Sequence, residues 1–271
     1  MKCVTAVFVS LLMLLSGCAV ERPPEHVLRV VIPATGKSDA VLLQADGFTV
    51  LNDTAFYETS RDLQMLLKNS GIERIDLLIL SHFDKDHIGG AANILRSFEV
   101  ERVAMPDYYS GSEYWLDMMS VLSECETEQM IITAPADFTF GKLTVHIDAP
   151  KQTEYEDENN FSLITEACYG ETRLLLTGDA LNERLGEYLD ELQNGTHFDM
   201  IKLPHHGDSF PALQKLIKQI SPDYAVITCD KTRSTVDEKT LRTLDKYEVS
   251  AFFTDENLVS FVSDGSGLVP S

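Results

Sequence analysis

Short apolar runs alternate with amphipathic stretches along most of the chain. From residue 27 onward, β-branched and aliphatic residues recur in runs of strand length, bounded by turn residues: VLRVVI, AVLLQ, FTVLN, IDLLIL, ERVAM, LTVHI, FSLIT, RLLLTG, MIKLP, YAVIT, SAFFT and LVSFV. Between these runs, amphipathic patterns predict helices over 59–69, 89–97, 113–125, 182–193, 211–220 and 237–247. Such alternation predicts an α/β or α+β fold.

Length and composition favour one folded domain. The chain has 271 residues, 44% of them apolar, which is enough for a substantial core and excludes a disordered protein. We assign residues 28–264 to this domain and treat 265–271 as a tail without an assigned function. Two successive sets of strands and helices, 27–147 and 161–262, are candidates for two halves joined by the acidic stretch 154–160.

The first residues have the pattern of a secretion signal. An apolar run from Val4 to Leu15 is too short to cross a bilayer as a mature helix, and the sequence LSGC at 15–18 resembles the lipobox of bacterial lipoproteins. The resemblance implies a signal peptide over 1–17, a lipid on Cys18 and a linker over 18–27. It predicts a protein anchored to a membrane on the extracytoplasmic side of the cell envelope. A buried first strand or helix is the alternative.

Cysteine content and charge restrict the partners. The remaining cysteines, Cys125, Cys168 and Cys229, are odd in number and widely spaced, so they predict neither a disulfide framework nor a zinc knuckle. The formal net charge is −21, and a field of this sign repels polyanions. Long nucleic acid is therefore disfavoured and a small or envelope-borne substrate is favoured. The sequence leaves the oligomeric state open.

Several apolar runs end in an acid or a histidine. Asp53 follows VLN, His82 follows LLILS, Asp179 follows LLLTG, and His205 and His206 follow IKLP. Because ligands gather beyond the carboxyl ends of strands in such sheets, these residues predict one site.

The densest group of polar residues lies between Ser81 and Gly90. It contains four candidate metal ligands: His82, Asp84, Asp86 and His87. Imidazole nitrogen and carboxylate oxygen suit Zn²⁺, Mn²⁺ or Fe²⁺, and the spacing lets His82 and Asp84 face one ion while Asp86 and His87 face another. The alternative makes the histidines surface residues and an aspartate a helix cap, but four such residues together favour a site for two metals.

This segment resembles the His-x-His-x-Asp-His signature of the metallo-β-lactamase superfamily, with Asp84 in place of the second histidine, as in ComEC-type competence proteins. The resemblance continues, in the same order, through Asp39-Ala40, Asp53, Asn159-Asn160, Thr177-Gly178-Asp179 and Leu203-Pro204-His205-His206-Gly207. It implies a four-layer αββα sandwich, two divalent metal ions, Zn or Mn, and hydrolase activity.

The resemblance also implies roles for single residues. Asp179 bridges the two ions, and one of His205 and His206 completes the second site while the other faces substrate; which does which stays open. Asp53 hydrogen-bonds a ligand histidine, although a simple turn aspartate explains it equally well.

Two departures from the family pattern bear on the metals. Asn159 and Asn160 stand where the third motif has a histidine, as in the ComEC-type subgroup, and we expect Asn160 to support the ligands from behind. The chain has no Gly-His-Pro after the strand YAVIT. The first metal site, the one that His82 and Asp84 would face, is therefore expected to be weak.

A metal-activated hydroxide would hydrolyse an ester or phosphoryl centre, with Asp86, or else Asp84, orienting it and His206, or else His205, assisting the leaving group. The subgroup resemblance implies a phosphodiester substrate, and a lactonase or β-lactamase ranks lower.

Two alternatives remain: a degenerate metal-binding envelope module, and a nuclease acting in DNA uptake. The nuclease predicts a basic cluster, for which only four residues stand near the motifs: Lys85, Lys202, Lys231 and Arg233.

Overall fold

The computed structural model describes residues 26–230 and 236–271. The predicted signal peptide and Cys18 lie outside the described residues, as do Lys231 and Arg233. In the described ranges, none of the helices has the length and hydropathy needed to cross a bilayer. The lipid anchor therefore stays a prediction.

Strands and helices follow the predicted alternation. The strands are β1 (Leu28–Ile32), β2 (Val41–Ala45), β3 (Phe48–Asn52), β4 (Arg74–Ile75), β5 (Leu77–Ile79), β6 (Glu99–Val100), β7 (Arg102–Pro106), β8 (Glu128–Ile132), β9 (Ala136–Phe140), β10 (Leu143–Asp148), β11 (Ile164–Tyr169), β12 (Thr172–Leu176), β13 (Met200–Lys202), β14 (Tyr224–Ile227), β15 (Ser250–Phe253), β16 (Val259–Ser263) and β17 (Leu268–Pro270). The helices are α1 (Ser60–Asn69), α2 (Lys85–Ile88), α3 (Ala91–Ser97), α4 (Glu113–Leu122), α5 (Asn182–Glu191), α6 (Pro211–Ile220) and α7 (Glu238–Lys246). Short 3₁₀ turns cover Glu158–Phe161 and Pro204–Gly207.

The strands of the described chain form two large sheets and one short pair. The first sheet has the order β17-β16-β1-β2-β3-β5-β7-β8, and the second has the order β15-β14-β13-β12-β11-β10-β9. Strands β3, β5, β7 and β8 are parallel to one another, as are β12, β13, β14 and β15. The carboxyl ends of each parallel set therefore lie along one edge of its sheet.

Alternation along the strands divides the core into three layers. In β1, Val30 and Ile32 face the space between the sheets, whereas Val31 faces the helices. Helices α1, α3 and α4 cover the outer face of the first sheet, and α5, α6 and α7 cover that of the second. This is the four-layer αββα sandwich that the family resemblance predicts.

The C-terminal tail is part of the first sheet. Leu268–Pro270 pairs antiparallel with β16, with Val269 opposite Val262. The folded domain therefore extends past the predicted boundary at 264, and the separation of 265–271 is wrong.

The predicted halves also need correction. β10, placed in the first half, pairs with β11 in the second sheet, while β16, placed in the second half, pairs with β1 in the first sheet. The division at the acidic stretch fails because β9, β10 and the C-terminal hairpin each join the sheet of the other half.

Candidate metal centre

Four side chains from three separate segments of the chain converge on one point between the strand ends. Asp86, His87, Asp179 and His206 each offer a ligand atom, and these atoms all lie within 4.8 Å of one another. The Nε2 atom of His206 is 3.2 Å from Asp86 Oδ2 and 3.4 Å from Asp179 Oδ2. The Nε2 atom of His87 is 3.2 Å from Asp179 Oδ1. We refer to these four residues as the carboxylate–imidazole cluster.

His82 lies directly beside this cluster. Its ring centroid is 4.1 Å from that of His87, and both side chains are fully buried. The Nε2 atoms of both rings lack a hydrogen bond of good geometry. Because an unpaired buried polar atom costs free energy, two such atoms beside ionised carboxylates indicate a place for a cation. Nitrogen and carboxylate donors in this arrangement fit a divalent transition metal.

Asp84 lies at the rim of the centre. Its side chain is 45% exposed, and its Oδ2 atom is 3.8 Å from His82 Nε2. It occupies the residue before α2, but its side chain makes no capping hydrogen bond there. The helix-cap alternative is therefore absent, and Asp84 is close enough to share an ion with His82.

The two adjacent histidines face different ways. His205 and His206 both have positive φ, 46° and 53°, which is uncommon for residues other than glycine. This turn directs His206 into the carboxylate–imidazole cluster, where its side chain is 2% exposed. His205 lies at the rim with its side chain 32% exposed, and its Nδ1 atom is 3.2 Å from Asp208 Oδ2. The sequence left the choice open, and the structure brings His206 alone into the cluster.

Asp53 supports two of the imidazoles from behind. His87 Nδ1 donates to Asp53 Oδ2 at 2.9 Å, and the Ser81 hydroxyl donates to the same carboxylate at 2.8 Å. Since that hydroxyl has only one hydrogen, its oxygen accepts from His82 Nδ1 at 3.1 Å. Both Nε2 atoms then face the cluster. The predicted hydrogen bond from Asp53 to a candidate ligand histidine is present.

Asn160 hydrogen-bonds backbone groups and not a candidate metal ligand. Its Oδ1 atom accepts from the backbone N–H groups of Leu181 and Arg184, both at 3.2 Å. These donors begin α5, the helix that follows Asp179, and neither belongs to a candidate ligand. The expectation that Asn160 supports a ligand directly is corrected: it fixes the loop that carries Asp179.

The surroundings lower the pKa of two candidate ligands, Asp86 and His82. Although burial opposes it, the hydrogen bond from His206 and the charge of His87 lower the pKa of Asp86 to about 2. Burial and the neighbouring His87 lower the pKa of His82 to about 4. Near neutral pH, Asp86 is therefore a carboxylate and the His82 ring carries a lone pair.

Lys202 places a fixed ammonium group below the cluster. Its side chain is 1% exposed, pairs with the carboxylate of Asp39, and lies 3.7 Å from Asp179 Oδ1. Burial opposes ionisation, but the charges of Asp39 and Asp179 raise the pKa of Lys202. Sequence reasoning treated Lys202 as a possible nucleic-acid contact and gave Asp39 no role. The sequence signals were the match of Asp39-Ala40 to the family pattern and, for Lys202, a single polar residue within the run MIKLP.

An aromatic stack borders the site. Phe83, Tyr108 and Phe161 stack with centroid distances of 4.5 and 4.3 Å. Phe83 and Phe161 directly follow His82 and Asn160, so the stack is joined to two loops of the site. Burial, together with the charges of Asp84 and Glu158, raises the pKa of Tyr108. Phe83 and Phe161 are buried, so the stack packs two loops of the site against each other.

Solved structures share the fold. The metallo-β-lactamase fold protein YhfI from Bacillus subtilis matches with a TM-score of 0.57 and 12% identity, over 88% of this chain and 99% of that chain. A diphosphatase of the PhnP family matches with a TM-score of 0.51 and 14% identity, over 87% of this chain and 98% of that chain. CmlA, a diiron β-hydroxylase from Streptomyces venezuelae, matches with a TM-score of 0.54 and 13% identity, over 88% and 54% of the two chains. At these identities the likeness shows the fold alone.

Curated relatives are competence and recombination proteins. ComE operon protein 3 of Bacillus subtilis is 26% identical over 70% of this chain and 25% of its own length. Recombination protein 2 of Haemophilus influenzae is 28% identical over 71% of this chain and 23% of its own length. Competence protein ComA of Neisseria gonorrhoeae is 26% identical over 79% of this chain and 29% of its own length. The chain thus spans about a quarter of the length of these relatives.

A family model covers most of the described domain. The model of the metallo-β-lactamase superfamily matches residues 34–229, a range that contains every member of the carboxylate–imidazole cluster. With the αββα sandwich and the three competence-type relatives, this match shows that the chain belongs to the metallo-β-lactamase superfamily and resembles its ComEC-type subgroup.

Proposed function

We propose that the protein is a metal-dependent hydrolase that cleaves phosphodiester bonds in a small or envelope-associated substrate. The observation that carries the proposal is the convergence of Asp86, His87, Asp179 and His206 beside the unpaired Nε2 atom of His82. The fold by itself does not choose the reaction, because a diiron hydroxylase shares it. The diphosphatase neighbour and the competence-type relatives are compatible with phosphoryl chemistry.

The side chains divide between binding and proton transfer. Asp86, His87, Asp179 and His206 would hold one divalent ion, Zn or Mn, and His82 with Asp84 and Asp179 would hold the other, weaker one. When bound, the ions supply Lewis acidity and lower the pKa of bound water. Asp86, with its side chain 20% exposed, then orients the attacking water.

We assign assistance of the leaving group to His205 and not to His206. We predicted from the sequence that His206 acts on the leaving group, but its imidazole is committed to the cluster and its side chain is 2% exposed. His205 lies at the rim, and Asp208 beside its Nδ1 orients the ring. In the proposal, His205 donates the proton to the departing oxygen.

The charge of the molecule supports a small substrate. Asp84 and Glu158 flank the aromatic stack, and the formal net charge is −21. Among the described cations near the motifs, Lys202 is buried and paired with Asp39, so it cannot meet a phosphate backbone, and Lys85 of α2 is a single exposed charge. A nuclease in DNA uptake is the second candidate, favoured by the competence and recombination proteins among the relatives.

Hydrolysis assays with loaded protein test the proposal. Purified protein reconstituted with Zn²⁺ or Mn²⁺ is expected to hydrolyse bis-p-nitrophenyl phosphate, and Asp179→Asn is expected to abolish turnover. Parallel assays use single-stranded and duplex oligonucleotides and a chromogenic cephalosporin. Bound metal without turnover of any substrate would overturn the hydrolase and favour a binding module. Turnover of DNA alone would favour the nuclease.

The predicted lipid on Cys18 places this activity at a membrane surface in the envelope. Metabolic labelling with an alkyne fatty acid is expected to mark the wild-type protein and not Cys18→Ser. Cys3→Ser is the matched control and is expected to keep the label, because Cys3 lies in the segment that is removed. Equal labelling of the wild type and Cys18→Ser contradicts the anchor.

A further inference from the structure

We propose that Lys202, Asp39 and Thr228 form a positioning relay that holds His206 in the orientation and tautomer needed to bind metal. The inference rests on the proposed metal centre and assigns roles to three residues outside the predicted ligand set. Thr228 directly follows β14, where the superfamily pattern leads us to expect Gly-His-Pro. This strand end therefore supplies a hydroxyl that supports a histidine of the neighbouring strand end.

Hydrogen-bond directions in the relay follow from the number of hydrogens. The Thr228 hydroxyl lies 2.6 Å from Asp39 Oδ1 and 2.8 Å from His206 Nδ1. An ionised carboxylate only accepts, so Thr228 donates its single hydrogen to Asp39. The hydroxyl oxygen must then accept from His206 Nδ1–H. The Nε2 atom is left to face Asp86 and Asp179, which is the geometry a metal ligand requires.

Lys202 occupies the second oxygen of Asp39. Asp39 Oδ2 pairs with the ammonium group, while Oδ1 accepts from Thr228, so both oxygens are engaged. Asp39, Lys202 and Thr228 are each at most 2% exposed, and a buried carboxylate without a counter-ion would be costly. The ammonium group also lies 3.4 Å from the carbonyl oxygen of Gly178. It thereby joins the relay to the loop that carries Asp179.

The same construction occurs on the other side of the cluster. Asp53, the Ser81 hydroxyl and His82 Nδ1 form a second carboxylate–hydroxyl–imidazole chain, with distances of 2.8 and 3.1 Å. Two relays of one chemical design thus hold histidines whose Nε2 atoms point to a shared space. A hydroxyl buried only for packing would not need an imidazole on one side and a carboxylate on the other.

Valine and serine substitutions at Thr228 separate positioning from packing. Thr228→Val keeps the shape and loses the hydroxyl, and we expect Zn²⁺ affinity, measured by competition with a chromophoric chelator, to fall roughly 10–100-fold. Thr228→Ser is expected to restore it. The control is Thr172→Val, which removes a buried hydroxyl that bonds Ser263 at 2.6 Å in the β12–β16 region. This control should leave Zn²⁺ affinity unchanged.

An NMR readout reports the relay without metal. In metal-free protein labelled with ¹⁵N-histidine, His206 Nδ1–H should give a slowly exchanging downfield signal that Thr228→Val loses and Thr228→Ser keeps. If the signal is lost in Thr228→Val and kept in Thr228→Ser, but neither wild type nor any variant binds Zn²⁺, the proposed metal centre is refuted and the relay is supported. If Thr228→Val keeps both the signal and the affinity, the relay is overturned.

Substitution of Lys202 tests the other end of the relay. Lys202→Met leaves Asp39 buried without a counter-ion and is expected to fold poorly. The double variant Lys202→Met/Asp39→Asn removes both charges, so it should fold yet bind Zn²⁺ about tenfold more weakly than wild type, because an amide oxygen accepts less strongly from Thr228. Wild-type affinity in the folded double variant contradicts the role of the ion pair.

Discussion

Two neighbouring residues with left-handed backbone decide the chemistry of the centre. His205 and His206 have φ of 46° and 53°, and each such residue costs about 1–3 kcal/mol unless its surroundings hold it. Here the His205 N–H donates to Asp179 Oδ1 at 3.1 Å, and the Asp208 N–H donates to the His205 carbonyl at 3.1 Å. These backbone conformations turn the His206 imidazole into the cluster and leave the His205 imidazole at the rim.

Alanine at each of these positions should give different defects. His206→Ala is expected to lose metal, because it removes one of the four atoms that lie within 4.8 Å of one another. His205→Ala should keep its metal and lose roughly 10²–10⁴-fold in kcat, as expected for loss of a proton donor. Metal content by plasma mass spectrometry and steady-state kinetics check this. Equal metal loss in both variants would refute the division of roles.

The sequence predicts most of the candidate ligands but not the three residues of the proposed relay. Five of the predicted ligands, His82, Asp86, His87, Asp179 and His206, lie together because each closes a strand or opens the helix after it. Asp39, Lys202 and Thr228 were not predicted as site residues. Each is one polar residue beside an apolar run, and only the stacking of the two sheets shows that they meet.

At the scale of elements, periodicity predicted helices better than edge strands. Helices α1, α5 and α6 begin within a residue of the predicted positions, since each has a continuous apolar stripe and a clear end. β8 is largely exposed and β9 alternates over only five residues, so neither was predicted. The run FSLIT begins in a 3₁₀ turn, because Asn159 and Asn160 fold back before β11.

The short helix α2 is followed directly by two glycines that pack closely against the loop after β3. A Cβ on Gly90 would lie 2.3 Å from the carbonyl oxygen of Thr54, and one on Gly89 would lie 2.5 Å from the backbone nitrogen of Tyr57. Backbone cannot yield as a side chain does. Gly90→Ala is therefore expected to destabilise the protein by about 1–3 kcal/mol and to weaken metal binding by shifting Asp86 and His87.

Gly186 in α5 is the matched control for that substitution. A Cβ there would meet nothing within 4 Å, so Gly186→Ala should stabilise the protein by about 0.5–1 kcal/mol and leave metal affinity unchanged. Urea unfolding and chelator competition measure the two effects. A Gly90→Ala variant with wild-type stability and metal affinity would show that α2 has room to move.

At the scale of the whole molecule, the metal centre joins the two sheets. His82 and His87 follow strands of the first sheet, whereas Asp179 and His206 follow strands of the second. Bound metal at 100 times its dissociation constant should stabilise the fold by about 2.7 kcal/mol. For a domain of this size that corresponds to roughly 5–11 °C in Tm. Calorimetry with and without chelator measures it, and Asp179→Asn should show no chelator effect.

Net charge gives the whole molecule a dependence on salt that separates the two candidate functions. With a formal net charge of −21, the protein repels an anionic substrate, and salt screens that repulsion over about 10 Å at 0.1 M. If the substrate is a small phosphodiester, kcat/KM for an anionic diester should rise between 20 and roughly 200 mM salt, while that for a zwitterionic diester stays constant. A nuclease that binds a phosphate backbone through cations must show the opposite slope, because it loses affinity as counter-ions compete. A fall in kcat/KM with salt for an oligonucleotide would therefore favour DNA, and it would place the required cations outside the buried Lys202–Asp39 pair.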